Sequence, residues 1–302
     1  MTPAPAAEER TAVLWCNLGS PDEPTAPAVR RYLSQFLHDP RVIEIPRAVW
    51  CLILHGIILR VRPAKSAAKY ASIWLPEGSP LKVWTEKQAK LLTGWLGERG
   101  HQVSVRPAMR YASPSIASQL DAAQAEGATR VLVMQAYPQY SATTTASVID
   151  AVAAWTRTRR RLPELRFVNE YHSDPLYIDA LAQSVLAHWQ QHGRPDQLVM
   201  SFHGIPARNI QLGDPYQAQC LETARLLAER LLARLRRLRM RSLIRSRLKI
   251  LYLRNQRKNL RLISKTVKQP MRTFSSQISI PFRTAQASCQ NSTALQRSKK
   301  SA

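Results

Sequence analysis

Two kinds of hydrophobic pattern alternate along residues 11–230. Short apolar runs read as buried strands: TAVLWCNL at 11–18, HQVSVRPAMRY at 101–111, RVLVMQAYPQY at 130–140, LRFVNEY at 165–171 and DQLVMSF at 196–202. Between them, apolar positions three and four apart predict helices over Ala28–Leu37, Thr85–Gly97, Ile116–Ala125, Val148–Thr156 and Leu176–His192, with another from Gln217 onward. The breaks carry stop signals. The sequence HDP follows the first helix, Gly97 and Gly100 close the second, and Gly127 stops the third.

Strands alternating with helices at crossover spacing predict an α/β fold with a mainly parallel sheet. In such folds ligands bind outside the carboxyl ends of the strands. The segments NLGSP, MRYASP, YPQYSATTTAS and SFHGIP all fall at that edge, so they form one candidate rim of loops. No internal repeat is visible. No Gly-x-Gly-x-x-Gly or phosphate loop occurs, and no nucleotide cofactor is expected.

Ala48–Leu59, AVWCLILHGIIL, is the most hydrophobic stretch. It contains His55, is closed by Arg60 and Arg62, and falls short of the roughly 20 apolar residues that cross a bilayer. A buried helix or an apolar lip over a pocket is expected. The amino-terminal MTPAPAAEER has neither a basic nor an apolar region of signal-peptide type, so no secretory signal is expected. The cysteines Cys16, Cys51, Cys220 and Cys289 form no Cys-x-x-Cys pair. Reduced thiols in a cytosolic protein are expected, without a zinc knuckle or a disulfide framework.

Charge divides the chain. The net charge of +24 would suggest nucleic acid, but all 20 acidic residues and all 10 glycines precede residue 231. The last 72 residues contain 19 Lys and Arg with no Asp, Glu or Gly, whereas residues 1–230 hold 25 basic against 20 acidic residues. A nearly neutral globular part thus joins a polycationic part.

At the rim, His203 ends the strand DQLVMSF beside Gly204. The plain reading is a histidine satisfied by local hydrogen bonds. The functional reading is a metal ligand or proton acceptor, with Gly204 letting a flat ligand approach the backbone. Arg110 is either a solvated loop charge or a partner for an anionic substrate edge, with Tyr111 packing on a flat face. In YPQYSATTTAS, Tyr140 and Ser141 join them as substrate-binding candidates, although loop capping alone accounts for the hydroxyls. GDPY at 213–216 reads as a turn that starts the next helix. Together these residues suit a large, flat, partly apolar ligand with few anionic groups.

NLGSPDEPT, RRYLSQFLHDPRV, SIWLPEGSPL, MRYASPSI, YPQYSATTTAS and SFHGIPARNIQLGDPYQAQCLETARLL, in register from about Ala12 to Leu231, resemble the ferrochelatase family. The resemblance implies two similar α/β domains with parallel sheets flanked by helices, here a first domain over 1–172 and the beginning of a second over 173–230. It implies insertion of Fe2+ into protoporphyrin IX in the last step of haem synthesis, with Fe2+ as substrate metal and no prosthetic group. His203 takes the position of the family's iron ligand or base, and Arg110 and Tyr111 those of its porphyrin contacts. The stretch at 48–59 takes the place of the family's lip, with peripheral membrane contact of a cytoplasmic protein. One or two weak ligands and a proton acceptor suit metal transfer better than a full cage that would retain the ion.

Residues 231–302 depart from that pattern. They hold no carboxylate that could serve as the family's glutamate opposite the histidine, so weak activity is expected. The tail is either the product of a reading-frame shift near residue 231 or a genuine basic extension. Leu226, Leu227, Leu231, Leu235 and Leu238 would make the extension an amphipathic helix facing nucleic acid or anionic membrane. The alternatives to a ferrochelatase are a related chelatase for coproporphyrin or a cobalt-receiving precursor, and a nucleic-acid-binding protein acting through the tail. No specific nucleic acid is expected as a partner. The frame-shift account predicts that another frame of the coding DNA after residue 231 encodes a Phe- and Gly-containing strand and then a glutamate-bearing segment. Stop codons or unrelated sequence in both other frames would remove it.

Overall fold

The computed structural model describes residues 9–195 and 197–237. They form two compact units, 9–172 with 206–220, and 173–205 with 221–237.

The first unit is built on a parallel sheet of β1 (Thr11–Asn17), β2 (Val103–Met109), β3 (Arg130–Gln135) and β4 (Glu164–Val168), in the order β2-β1-β3-β4. β1 is central and pairs Val13 with Val105 on one side and with Leu132 on the other. Its two faces explain its continuous apolar run. Ala12, Leu14 and Cys16 enter a core with Ile116 and Leu120 of α5 (Ile116–Ala125) and Val148, Val152 and Trp155 of α6 (Ser147–Thr156). Val13 faces the other way, onto Ala89 of α4 (Pro80–Glu98), with Trp15 and Leu92 alongside. Helices therefore cover both faces, and each fully buried Leu or Val contributes about 1.5–3 kcal/mol.

Between β1 and β2 the chain makes α1 (Ala26–His38), α2 (Arg47–Ile53), a π-helical turn at Leu54–Ile58, and α3 (Leu59–Ala71). Thr25 caps α1 by accepting from the Ala28 amide. No residue of α2 is buried, so the alternative of a buried helix at 48–59 does not hold. Leu54 and Leu59 anchor the segment beside Leu37, while Leu52 is 78% and Ile57 61% exposed. The amphipathic pattern is satisfied by a narrow stripe, and the other apolar side chains of the segment stay exposed.

The first unit also holds the short α8 (Ala207–Gln211). In the second unit, α7 (Pro175–His192) packs with the part of α9 (Tyr216–Arg237) beyond residue 220, through Ala182, Val185, Ala224, Leu227 and Leu231. Leu198, Met200 and Phe202 enter the same cluster. Their alternation is the strand pattern read at 196–202, yet 197–202 form no strand among the described residues. A ladder needs a neighbour to exchange hydrogen bonds with, and none pairs with this segment there. Leu227, Leu231 and Leu235 are buried, so in this structure the leucine stripe of α9 faces protein. Asp179 of α7 bridges Arg230 and Arg234 on α9. Leu238 and the remainder of the tail lie outside the described residues, as does Cys289.

Gly19, just after β1, has φ +102°, and a Cβ there would lie 1.9 Å from the Tyr111 carbonyl oxygen. Gly19→Ala is expected to lower stability by about 3 kcal/mol or more, since backbone strain and a backbone clash act together. Gly94→Ala, in α4 with open space around it, is expected to stabilise by up to about 1 kcal/mol. Urea unfolding checks the pair, and equal midpoints for the two variants would refute the close approach at Gly19.

Candidate active site

The parallel register brings the ends of β1, β2 and β3 to one edge. The ladder between β1 and β2 runs one step beyond the strands, because the Arg110 and Tyr111 amides donate to the carbonyls of Asn17 and Leu18. The Arg-Tyr pair is thereby held at the carboxyl edge, where α/β folds place ligands.

Asp39, the residue that ends α1, organises this edge. Its Oδ2 accepts from Ser147 Oγ at 2.5 Å, Tyr111 OH at 2.7 Å and Arg110 Nη2 at 2.7 Å. Its Oδ1 accepts from the Arg41 amide at 2.8 Å. Arg110 Nε also donates to Ser147 Oγ at 2.6 Å and to the Ser147 carbonyl at 2.9 Å. Burial raises the pKa of Asp39, but hydrogen bonds from Ser147, Tyr111 and the Arg41 amide, with the charge of Arg110, outweigh it and hold the carboxyl below its ordinary value. Tyr111 is 1% exposed, with Phe36 and Tyr32 meeting its ring edge-on. Burial, reinforced by the Asp39 charge, raises its phenol. Arg110 stacks over the same ring, 4.6 Å from its centroid, and keeps 21% of its side chain exposed.

The loop after β3 is fixed separately. Ser141 caps a π-helical turn at Ala142–Ala146 and donates to Asp214 Oδ2 at 2.9 Å, while the Ala142 amide donates to the same oxygen at 2.8 Å. The Tyr140 amide donates to Gln219 Oε1 at 2.6 Å. Tyr137 donates to Asn17 Oδ1 at 2.5 Å, and burial pushes its phenol up to about 12. Gln135 and Thr145 are buried with side-chain polar atoms that have no protein partner.

The structure therefore joins Arg110 and Tyr111 in one network and places Tyr140 and Ser141 on the same edge. Ser141 is buried and caps its loop, whereas Tyr140 is partly exposed. His203 lies in the second unit, exposed, at the end of 197–203. Asp39 and Asp214 were missed as members of the edge, and Ser147, although inside the rim segment YPQYSATTTAS, was not singled out. Asp39 stood in HDP and read only as a helix stop, and Asp214 stood in GDPY and read only as a turn. The pairing of an acid at one loop with an Arg-Tyr at another has no local signature. Among the described residues no group of three or more His, Cys, Asp or Glu is arranged to hold a metal ion. None of the described helices is long and apolar enough to cross a membrane.

Fold and edge define an α/β protein with positioned Arg, Tyr and hydroxyl groups at the carboxyl ends of its strands, the edge at which folds of this class bind ligands. The ferrochelatase family model matches residues 10–249, and the chain belongs to that family. The match overlaps the start of the basic region rather than stopping at 231. Ferrochelatase of Methylibium petroleiphilum is 69% identical over 223 residues, 74% of this chain and 61% of that protein. That of Polaromonas sp. is 67% identical over 227 residues, 75% and 62% of the two chains. That of Bordetella pertussis is 52% identical over 229 residues, 76% and 63%. The chain thus spans about three fifths of the length of the curated relatives it matches.

Asp39→Asn is expected to cost about 3 kcal/mol at neutral pH, because it leaves Arg110 without its buried counter-charge. The carboxyl is held below its ordinary value in the fold. Its contribution is therefore present above the unfolded carboxylate pKa of about 3.9 and is lost as pH falls through the folded value. The gap between the two proteins should narrow on acidification below about pH 4, measured by urea unfolding. A gap that stays constant or widens would mean that the charge of Asp39 is not what stabilises this edge.

Proposed function

We propose that this chain acts on porphyrin and ferrous iron as ferrochelatases do, inserting Fe2+ into protoporphyrin IX. The family match over residues 10–249 carries this reading. In it, residues 173–230 begin a second domain similar to the first, and the macrocycle meets the carboxyl edge of the sheet. Arg110 offers its exposed face to a propionate, with Nε and Nη2 already committed to Ser147 and Asp39. Tyr111, covered by aromatic rings, serves by holding Arg110 in place. Tyr140 and Ser141 shape the neighbouring wall.

His203 is the iron ligand or the base that takes a pyrrole proton. Insertion removes two N–H protons from the macrocycle and water from the ion, so an accessible neutral imidazole serves either step. The exposed apolar residues Val49, Leu52, Ile53 and Ile57 form a lip, flanked by Arg47, Arg60 and Arg62. Apolar side chains rimmed by cations suit peripheral contact with an anionic membrane surface of the cytoplasm.

Residues 231–302 contain no carboxylate to face His203. A general base or its partner is worth about 10²–10⁴-fold, so this chain is expected to insert metal slowly. Anaerobic metallation with Fe2+ or Zn2+, followed by loss of free-base porphyrin fluorescence, compares three proteins: this chain, a chimera carrying the Methylibium sequence after residue 230, and that chimera with His203→Ala. The chimera should be faster by about the factor above, and His203→Ala should abolish insertion while porphyrin still binds. Equal rates for chain and chimera would remove the role of the missing carboxylate. Near-normal turnover of the histidine variant would make His203 structural, and absence of porphyrin binding by both chain and chimera would refute the whole reading.

A further inference from the structure

We propose that His38 and His55 form a binding site for one divalent first-row transition-metal ion at the base of the apolar lip. The two side chains come from different elements of the first unit. His38 closes α1, and His55 lies in the π-helical turn at Leu54–Ile58. Such turns inside helices are frequent at functional positions. The Nε2 atoms face each other at 3.2 Å.

The geometry fits two ligands on one ion. An ion at the usual 2.0–2.1 Å from each nitrogen would subtend an N–metal–N angle of about 100°, between cis-octahedral and tetrahedral. Two imidazoles converging on such an ion would have ring centroids about 5.0 Å apart. The observed separation is 5.1 Å. Rings set end to end in a collinear N–H···N bond of the same length would stand about 5.5 Å apart, so these are bent off a common axis.

The tautomer of His38 suits a ligand. Its Nδ1 lies 2.6 Å from the Ser34 carbonyl oxygen, which can only accept. In the neutral ring the proton is therefore on Nδ1, and Nε2 presents its lone pair to His55. A second ring nitrogen donating to a backbone carbonyl is the usual way that metal-bound imidazoles are oriented. The backbone beneath is also fixed. Leu37 and Leu54, each next to one of the histidines, are buried in one cluster, and Trp50 Nε1 donates to the Leu37 carbonyl at 2.6 Å. Supporting contacts of this kind keep a site from drifting out of register.

Two imidazoles select Zn2+, Ni2+, Cu2+ or Fe2+ over Mg2+ and Ca2+. With no third His, Cys, Asp or Glu to complete a cluster among the described residues, water fills the other positions and the ion exchanges readily. The proposal stands apart from the chelatase reading: the pair can bind metal whether or not any metal is inserted into a ring.

One other pair competes in a titration. His188 and His192 stack on α7 with centroids 4.3 Å apart. The test therefore uses the full chain with His188→Ala and His192→Ala. Calorimetric titration with Zn2+ at pH 7.5 should show a site that weakens at least about tenfold on adding His38→Ala or His55→Ala, the scale that even loss of an outer-shell partner reaches. Mg2+ should give no heat. Unchanged Zn2+ affinity in either variant overturns the proposal. A second measurement leaves the pair intact: pulsed electron paramagnetic resonance of one equivalent of Cu2+ in the same background. Two coordinated imidazoles support the site, whereas one or none overturns it.

Discussion

The Asp39 carboxylate takes three hydrogen bonds on one oxygen and one on the other, almost out of contact with water. Removing a carboxylate and a guanidinium from water is costly, and the cost is offset only when the remaining donors and acceptors are satisfied. That requirement binds three elements at once. The end of α1 supplies the acid, the end of β2 the Arg-Tyr pair, and the first residue of α6 the hydroxyl. Each can occupy its place only if the others occupy theirs. The candidate site is thus rigid where it meets the sheet, and Arg110 is held there by two of its donors, bound to Ser147 and Asp39.

The same edge shows where stability is given up. Gln135 and Thr145 carry buried polar atoms without protein partners, and each such group costs about 1–3 kcal/mol. The lip exposes apolar side chains that a core would normally cover. Both features lie beside the region where the rest of the fold is most tightly organised. A sheet buried on both faces, with Leu14 and Val133 covered on one side and Val13 and Val105 on the other, carries those costs. The second unit follows a different logic. Leu198, Met200 and Phe202 alternate as in a strand but pack on helices without a ladder. Leu198, Met200 and Phe202 tie that segment to the helices by packing, with His203 exposed at its end.

Much of the first unit was legible in the chain because its signals are local. Apolar runs of strand length, helical spacing and glycine stops depend on neighbours within a few residues, and β1 to β4 with α1 and α4 to α6 appear where those signals stand. The rim was legible too, since in a parallel sheet every strand end points the same way. What the lip would do was left between two readings, because an apolar run of twelve residues has the same pattern whether it is covered or not.

The sequence by itself determined the alternation of strands and helices, the edge to which loops and chemistry would be delivered, and the residue types available there. Periodicity and turn residues act over short range and need no partner elsewhere. Only the tertiary structure decided which of those residues meet. Asp39 lies 71 positions before Arg110 and 108 before Ser147, and nothing in HDP announces a buried acid. His38 and His55 face each other through a turn that the helical pattern does not foretell. Whether 197–202 would be a strand was likewise not a property of its own side chains, because a strand exists only when another backbone lies alongside to share its hydrogen bonds.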